Sequence, residues 1–154
     1  MKNSNSYVSL SGEGKKLNIL GHTAYLKLQR PANKGQYYIM EVHTPPGLGI
    51  PPHMHDREEE MIYIIEGKYA ITIGDQLYEL NTGDHIFFPK HIPHAFQNVG
   101  DTTGRTLWTI VPGSNFEDFF EDLNELSTSP NPPMDKIIST FGQYGMQITV
   151  QPPM

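Results

Sequence analysis

The feature of this sequence that most constrains its fold is a series of short β-prone runs between about residues 17 and 111. These runs are rich in β-branched and aromatic side chains, and Gly, Asp and Asn residues suited to tight turns separate several of them. Short strands at this spacing are typical of a β-sandwich or a small barrel. The predicted strands cover residues 24–28, 37–43, 61–67, 69–74, 77–80, 85–89, 94–98 and 106–111. We therefore predict an all-β fold for this part of the chain.

The pattern changes after residue 113, where the sequence predicts two short amphipathic helices. Ser114 and Glu117 have the spacing of a capping box at the start of the first helix. The second helix is predicted to begin near Asn131 and Pro132 and to end near Gly145. The apolar faces are formed by Phe116, Phe119, Phe120 and Leu123 in the first helix and by Met134, Ile137, Ile138 and Phe141 in the second. Because each helix is apolar on one side only, we expect both to cover an open face of the barrel.

The length of 154 residues fits one domain with appendages. We predict a flexible N-terminal arm over residues 1–16, a β-barrel over 17–113 and a helical extension over 114–154 that packs on the barrel. Residues 61–67 would turn Met61, Tyr63 and Ile65 outward, a side too apolar to face water without cover. This pattern favours a homodimer, unless the C-terminal helices supply the cover.

Composition narrows the classes of function. The formal net charge is −6 and no cluster of Lys and Arg is present, which argues against a nucleic-acid surface. The chain has no cysteine, so any metal must be held by nitrogen and oxygen ligands. No apolar stretch has the length of a signal peptide core or a membrane span, so we expect a cytoplasmic protein without membrane contact.

Three of the seven histidines stand in an informative arrangement with one glutamate. His53 and His55 are two residues apart, so in an extended chain both side chains point to the same face. Glu60 shares a face with apolar residues of the next strand, where an ionised carboxylate is costly unless a cation or hydrogen bonds compensate it. His94 lies on a later predicted strand. Three imidazoles and one carboxylate converging inside a barrel would form a site for a first-row divalent metal.

The spacing of these residues resembles the two motifs of the cupin family. The first motif, G-x5-H-x-H-x4-E-x6-G, matches at Gly47, His53, His55, Glu60 and Gly67. The second, G-x5-P-x-G-x2-H-x3-N, matches at Gly83, Pro89, His94 and Asn98. One position departs from the pattern: His91 stands where the family usually has glycine, although histidine tolerates the left-handed conformation better than most side chains. The motif also allows Glu59 as the acidic residue, but only Glu60 leaves six residues before Gly67.

The resemblance implies an antiparallel double-stranded β-helix, or jelly roll, with two short C-terminal helices. It also implies that His53, His55, Glu60 and His94 hold one divalent metal, which the ligand set leaves open among Fe, Mn, Ni, Co, Cu and Zn. The chain also resembles single-domain cupins of the quercetin-dioxygenase-like type in its C-terminal part. The shared features are an aromatic segment after the last strand, a Pro-rich linker and a final short helix. By that resemblance the chain would be a dioxygenase acting on a small aromatic or enolic substrate, with Glu60 as metal ligand and as the catalytic base.

Two other functions stay open at this point. A non-catalytic cupin that binds a metal and a small ligand, as a sensor, needs nothing beyond the features described. A sugar or sugar-phosphate isomerase would need a Lys or Arg side chain in the pocket to bind the phosphate. Only Lys68, Lys90 and Arg105 lie near predicted strands that could reach the pocket. The residues that would line an apolar substrate pocket are Met40, Ile62, Ile64, Phe88, Phe96 and Trp108. Of the remaining histidines, His22, His43 and His85 are expected at the surface or at strand edges, and His91 in a turn near the pocket rim.

Overall fold

A computed structural model describes residues 7–28 and 30–149 of the chain. The first six residues of the predicted N-terminal arm and the last five of the predicted C-terminal extension lie outside this description. The strands are β1 (Lys15–Ile19), β2 (His22–Leu28), β3 (Tyr38–Thr44), β4 (Gly49–His55), β5 (Glu59–Glu66), β6 (Lys68–Ile73), β7 (Gln76–Asn81), β8 (His85–Phe88), β9 (His94–Asn98), β10 (Gly104–Val111) and β11 (Met146–Ile148). The helices are α1 (Arg30–Asn33), α2 (Phe116–Leu126) and α3 (Met134–Gln143).

The strands form two antiparallel sheets that enclose a common core, which is the predicted jelly roll. The six-stranded sheet has the order β1-β2-β3-β10-β5-β8, and the five-stranded sheet has the order β11-β4-β9-β6-β7. Strands from distant parts of the chain are neighbours in both sheets, for example β3 and β10 or β4 and β11. The fold therefore brings residues that are far apart in sequence to one interior.

Alternation of side chains along the strands decides which residues reach that interior. In β3 and β10 every second residue is buried, including Met40, Trp108 and Ile110. The outer face of the six-stranded sheet keeps Tyr63 and Phe87 exposed, while Met61 and Ile65 are half-buried. The C-terminal helices pack near β1 and β11 and not over this outer face. The apolar outer face that suggested a homodimer thus stays uncovered among the described residues, and the homodimer stays a prediction.

Three strands were not among those predicted. β4 contains Pro51 and Pro52, which cannot donate ladder hydrogen bonds and are rare inside strands. The pairing of β4 with β9 shifts register between Ile50 and His53, so the prolines are accommodated at an irregularity in the ladder. The other two, β1 and β11, are edge strands: β1 forms a hairpin with β2, and β11 depends on a long-range partner, β4.

Both C-terminal helices are present, with boundaries that differ slightly from the prediction. All four apolar residues predicted for the first helix are buried in α2. In α3 only Ile137 and Phe141 are buried, while Met134 and Ile138 are exposed. The predicted capping box is wrong: the N-cap of α2 is Asn115, and no side chain caps it. The carboxylate of Glu117 instead accepts a hydrogen bond from the backbone N–H of Arg30.

The helices close one end of the barrel with aromatic rings. Phe120 stacks on Tyr38 of β3, with ring centroids 5.3 Å apart, and Phe119 meets Phe141 of α3 edge to face at 5.1 Å. Hydrogen bonds from β1 to Asn124 and from Leu20 to Ser127 hold α2 against the sheet. No helix in the described ranges has both the length and the apolar character needed to cross a bilayer.

Candidate metal centre

The four predicted ligands come from three strands and from both sheets. His53 and His55 lie on β4 and His94 on β9 of the five-stranded sheet, whereas Glu60 lies on β5 of the six-stranded sheet. His53 pairs directly with His94 in the ladder. The carboxylate therefore faces three imidazoles across the interior of the barrel.

The four side chains are close together and buried. One donor atom from each lies within 4.8 Å of the others. Oε2 of Glu60 is 3.3 Å from Nε2 of His94 and 3.4 Å from Nε2 of His55. None of the four residues is more than 7% exposed. This is a compact set of three nitrogen donors and one oxygen donor, as the sequence predicted.

Backbone carbonyls orient two of the histidines. Nδ1 of His53 lies 3.0 Å from the carbonyl oxygen of Pro51, and Nδ1 of His94 lies 3.2 Å from that of Ile92. A hydrogen bond donated by Nδ1–H fixes the tautomer in which Nε2 carries a lone pair. These contacts orient both imidazoles with Nε2 toward the centre of the cluster, where Nε2 can act as a metal ligand.

One aromatic ring packs against each imidazole. Phe88 stacks on His94 with centroids 4.2 Å apart, and Phe116 stacks on His55 at 5.7 Å. Phe141 meets His53 edge to face at 5.6 Å. Two of these rings belong to the C-terminal helices, so the helices help to hold the donor geometry.

Burial and charge set the protonation of the cluster. Burial, reinforced by the neighbouring histidines, lowers the pKa of His53 to about 3, so this ring is neutral at neutral pH. Burial alone would raise the pKa of Glu60, but hydrogen bonds and charge from His55 and His94 outweigh it and hold that pKa well below its usual range. Burial likewise opposes the charged form of His55, but the carboxylates of Glu58 and Glu60 outweigh it and raise its pKa to about 9. The carboxylates therefore favour a positive charge at the centre of the cluster.

The donor set fits a first-row divalent metal. Neither ring nitrogen of His55 has a hydrogen-bond partner among the described residues, although both are buried and face carboxylates. Buried polar atoms without partners are rare, and a metal bound by Nε2 would satisfy one of them. Three imidazoles and a carboxylate suit Fe, Mn, Co, Ni, Cu and Zn alike, so the donors identify the class of metal and not the element.

Beside the cluster lies a small apolar cavity of about 20 Å³. It is lined by Ile19, Ile50, His53, His55, Glu60, Trp108, Ile110, Phe116, Phe119, Phe120, Leu123, Phe141 and Met146. Of the six predicted pocket residues only Trp108 is among these. Met40, Ile62, Ile64, Phe88 and Phe96 are buried in the barrel core. The aromatic residues of α2 and α3 were predicted only to cover the barrel. Their helical spacing shows that they share a buried face, but it does not indicate that this face lines a cavity.

Two further motif positions have structural roles. His91 adopts a φ of 66°, so the turn before His94 keeps its left-handed residue although it is not glycine. Its backbone N–H donates to the carbonyl of His55, which ties this turn to β4. Asn98 is fully buried and donates from Nδ2 to the carbonyl oxygens of Thr44 and Thr102. These residues position the strands that carry the donor set.

The other histidines lie outside the cluster. The expectation that His22 is a surface residue is wrong: it is 1% exposed, and its Nδ1 lies 3.0 Å from the hydroxyl of Thr44. Burial lowers its pKa to about 4, so His22 is a neutral core residue. His43 is half-buried beside Glu41, and His85 and His91 are exposed.

Comparison with known proteins agrees with the sequence motifs. The Cupin domain family matches residues 40–110, which include the four donor residues. The uncharacterized protein MJ1618 of Methanocaldococcus jannaschii is 31% identical over 80 residues, or 52% of this chain and 64% of that protein. A quercetin 2,3-dioxygenase of Aspergillus japonicus is 29% identical over 105 residues, or 64% of this chain and 29% of that enzyme. The chain spans about half the length of the first curated relatives that it matches.

Solved structures show the same architecture. A predicted oxalate decarboxylase from Thermotoga maritima superposes with a TM-score of 0.61 and 22% sequence identity, covering 69% of this chain and 98% of that one. The chain therefore has the two-sheet barrel of the solved cupin structures, and its residues 40–110, which carry the motif histidines and glutamate, match the Cupin domain family.

Proposed function

We propose that this protein is a metal-dependent oxidoreductase of the dioxygenase type, acting on a small aromatic or enolic substrate. The observation that carries the proposal is the position of a buried three-nitrogen, one-oxygen donor set against a cavity with apolar and aromatic walls. A divalent transition metal held by His53, His55, Glu60 and His94 would supply Lewis acidity and access to one-electron chemistry. Four protein ligands leave coordination positions free for a substrate oxygen and a second small ligand.

Glu60 has a second role in this proposal, as acceptor of the substrate's hydroxyl proton. A carboxylate bound to a divalent metal stays ionised and is a weak base. Proton transfer to a weak base is efficient only from an acidic donor, because general-base catalysis requires matched pKa values. An enol or a phenolic hydroxyl suits this requirement better than an ordinary alcohol does.

The cavity also limits how a substrate enters. Its volume of about 20 Å³ is close to that needed by one water molecule, far below the volume of an aromatic ring system. Binding of such a substrate therefore requires the wall formed by α2 and α3 to move outward. Residues 128–133, which link the two helices, are mostly exposed, so this segment offers little packing against such a movement.

The dioxygenase class is favoured over the isomerase class by the cavity lining. The residues that line the cavity, all within the described ranges, include no Lys or Arg to bind a phosphate. Lys68 lies 3.9 Å from Glu79, and Arg105 lies 3.2 Å from Glu41 on the outer face. The similarity to a quercetin 2,3-dioxygenase supports the oxidoreductase class, and the substrate type is carried over as part of the proposal. We also propose a homodimer, on the apolar outer face described above, and carry over the expected cytoplasmic location as part of the proposal.

Oxygen uptake tests the proposal. The protein is loaded separately with Fe²⁺, Mn²⁺, Co²⁺ and Ni²⁺, and oxygen consumption is recorded with a flavonol and with a β-diketone. We expect uptake with at least one metal, loss of uptake in Glu60→Gln, and normal uptake in Glu59→Gln, which removes the same charge one residue away. Tight binding of the flavonol without oxygen uptake would contradict the oxidoreductase assignment and favour the non-catalytic binding protein.

A further inference from the structure

A second carboxylate, Glu58, is buried beside the donor cluster and occupies none of the fixed positions of either motif. It is 3% exposed, and its Oε2 has no hydrogen-bond partner among the described residues. A buried carboxylate without a partner is strongly unfavourable, so its position requires an explanation. The polar atom that Oε2 faces is Nδ1 of His55, at 3.6 Å.

His55 differs from the other two histidines in what fixes its outer nitrogen. Nδ1 of His53 and Nδ1 of His94 each meet a backbone carbonyl two residues earlier in the chain. Nδ1 of His55 has no hydrogen-bond partner, from a carbonyl or any other group, within residues 7–28 and 30–149. Among the three imidazoles, His55 is thus the one whose tautomer the backbone does not set, and Glu58 stands where the missing acceptor would be.

We propose that Glu58 is a positioning residue that accepts a hydrogen bond from Nδ1–H of His55 and so turns Nε2 of His55 toward the metal. This inference rests on the proposed metal-dependent function. The separation of 3.6 Å is slightly longer than a hydrogen bond, and it shortens when the ring is drawn into coordination. Carboxylates that hold a ligating histidine in this way raise its basicity as a ligand and fix its orientation.

The local chain geometry supports this role. The backbone N–H of Asp56 donates to the carbonyl of Gly145, and the carbonyl of His55 accepts from His91, so the turn after β4 is fixed at two points. This turn returns the chain so that the residue three positions after His55 faces its ring. Glu59, the next residue, begins β5 on the other side of the strand and is half-buried.

Charge balance gives a second argument. In the metal-bound site the three imidazoles are neutral ligands, so two carboxylates together would balance the charge of a divalent cation. Loss of Glu58 would leave the bound site with a net positive charge in a buried environment, which weakens metal binding.

The test compares Glu58→Gln with the matched control Glu59→Gln and the wild type. Affinity for Co²⁺ is measured by competition with a chromophoric chelator, and the ligand-field absorption spectrum of the Co²⁺ form is recorded. We expect Glu58→Gln to bind Co²⁺ about 10- to 100-fold more weakly, with an altered spectrum, because outer carboxylates have effects of that size. Glu59→Gln should match the wild type in both readouts. A merely structural role would lower the unfolding temperature of the metal-free protein and leave the affinity and the spectrum unchanged.

A measurement on the wild type keeps the inference testable if the variant fails to fold. In the Zn²⁺-loaded protein, ¹⁵N-edited NMR should show the proton of His55 on Nδ1, shifted further downfield than those of His53 and His94 because its acceptor is a carboxylate. An unprotonated Nδ1 of His55, or a Glu58→Gln protein with wild-type affinity and spectrum, would overturn the role of Glu58 alone. A wild type that binds no metal would overturn the proposed function together with it.

Discussion

His94→Ala should lower the affinity for Co²⁺ or Zn²⁺ by more than about 100-fold. Loss of a residue that only orients a metal ligand typically weakens metal binding by about 10- to 100-fold, and this variant loses a ligand itself. His94 is buried and its Nε2 lies 3.3 Å from Glu60, so no neighbouring water-exposed group replaces it at the centre of the cluster. His53→Ala, which removes the ladder partner of His94, should behave in the same way. Metal content after dialysis and the dissociation constant from chelator competition measure both effects.

The matched control for these two variants is His43→Ala. His43 is a half-buried histidine on β3 that lies 2.8 Å from Glu41 and outside the cluster. Its removal takes away one imidazole without touching the donor set, so metal content should stay at the wild-type level. Circular dichroism should show a folded barrel in all three variants. Equal metal content in His94→Ala and in His43→Ala would mean that the cluster is not the metal site.

Phe120→Ala should lower the free energy of unfolding by about 3–5 kcal/mol, the usual range for truncation of a buried phenylalanine. The Phe120 ring is 3% exposed, stacks on Tyr38 of the barrel and touches Phe116 and Phe119. Its loss leaves a hole between α2 and the six-stranded sheet that rigid neighbours fill only in part. Chemical denaturation, with the slope of the transition checked for two-state behaviour, gives the difference.

The control for this prediction is Phe87→Ala on β8. Phe87 is 45% exposed on the outer face, so its truncation should lower the stability by less than about 1 kcal/mol. A small effect of Phe120→Ala, similar to that of Phe87→Ala, would show that the C-terminal helices are not an integral part of the core. The predicted extension over 114–154 would then be a loosely attached segment.

The inward positions of His53, His55 and Glu60 were predictable because the alternation of side chains along a strand determines them. Two histidines with one residue between them share a face in any extended chain, and a glutamate in phase with apolar residues must face the interior. The pairing of His53 with His94 needed the fold, since forty residues separate them and only the sheet order brings β4 next to β9. The family resemblance supplied that topology in advance.

Other features depend on long-range contacts that periodicity does not reveal. β4 contains two prolines and was missed as a strand, although the prediction that His53 and His55 share a face is confirmed. His22 has the sequence neighbourhood of a strand edge, but β1 and β3 flank it and bury it. The cavity wall comes from α2 and α3, and no spacing rule indicates where on a barrel an amphipathic helix docks. The burial of Glu58 follows from the turn after β4, which contacts with Gly145 and His91 hold in place and which no local pattern reveals.

The most direct measurement is an anomalous-difference map from a crystal of the Co²⁺-loaded protein, with data collected on both sides of the cobalt absorption edge. We expect one peak inside the barrel, at about 2.0–2.2 Å from Nε2 of His53, His55 and His94 and from a carboxylate oxygen of Glu60. A cobalt peak bound elsewhere, with those four side chains turned away from one another, would contradict the proposed centre.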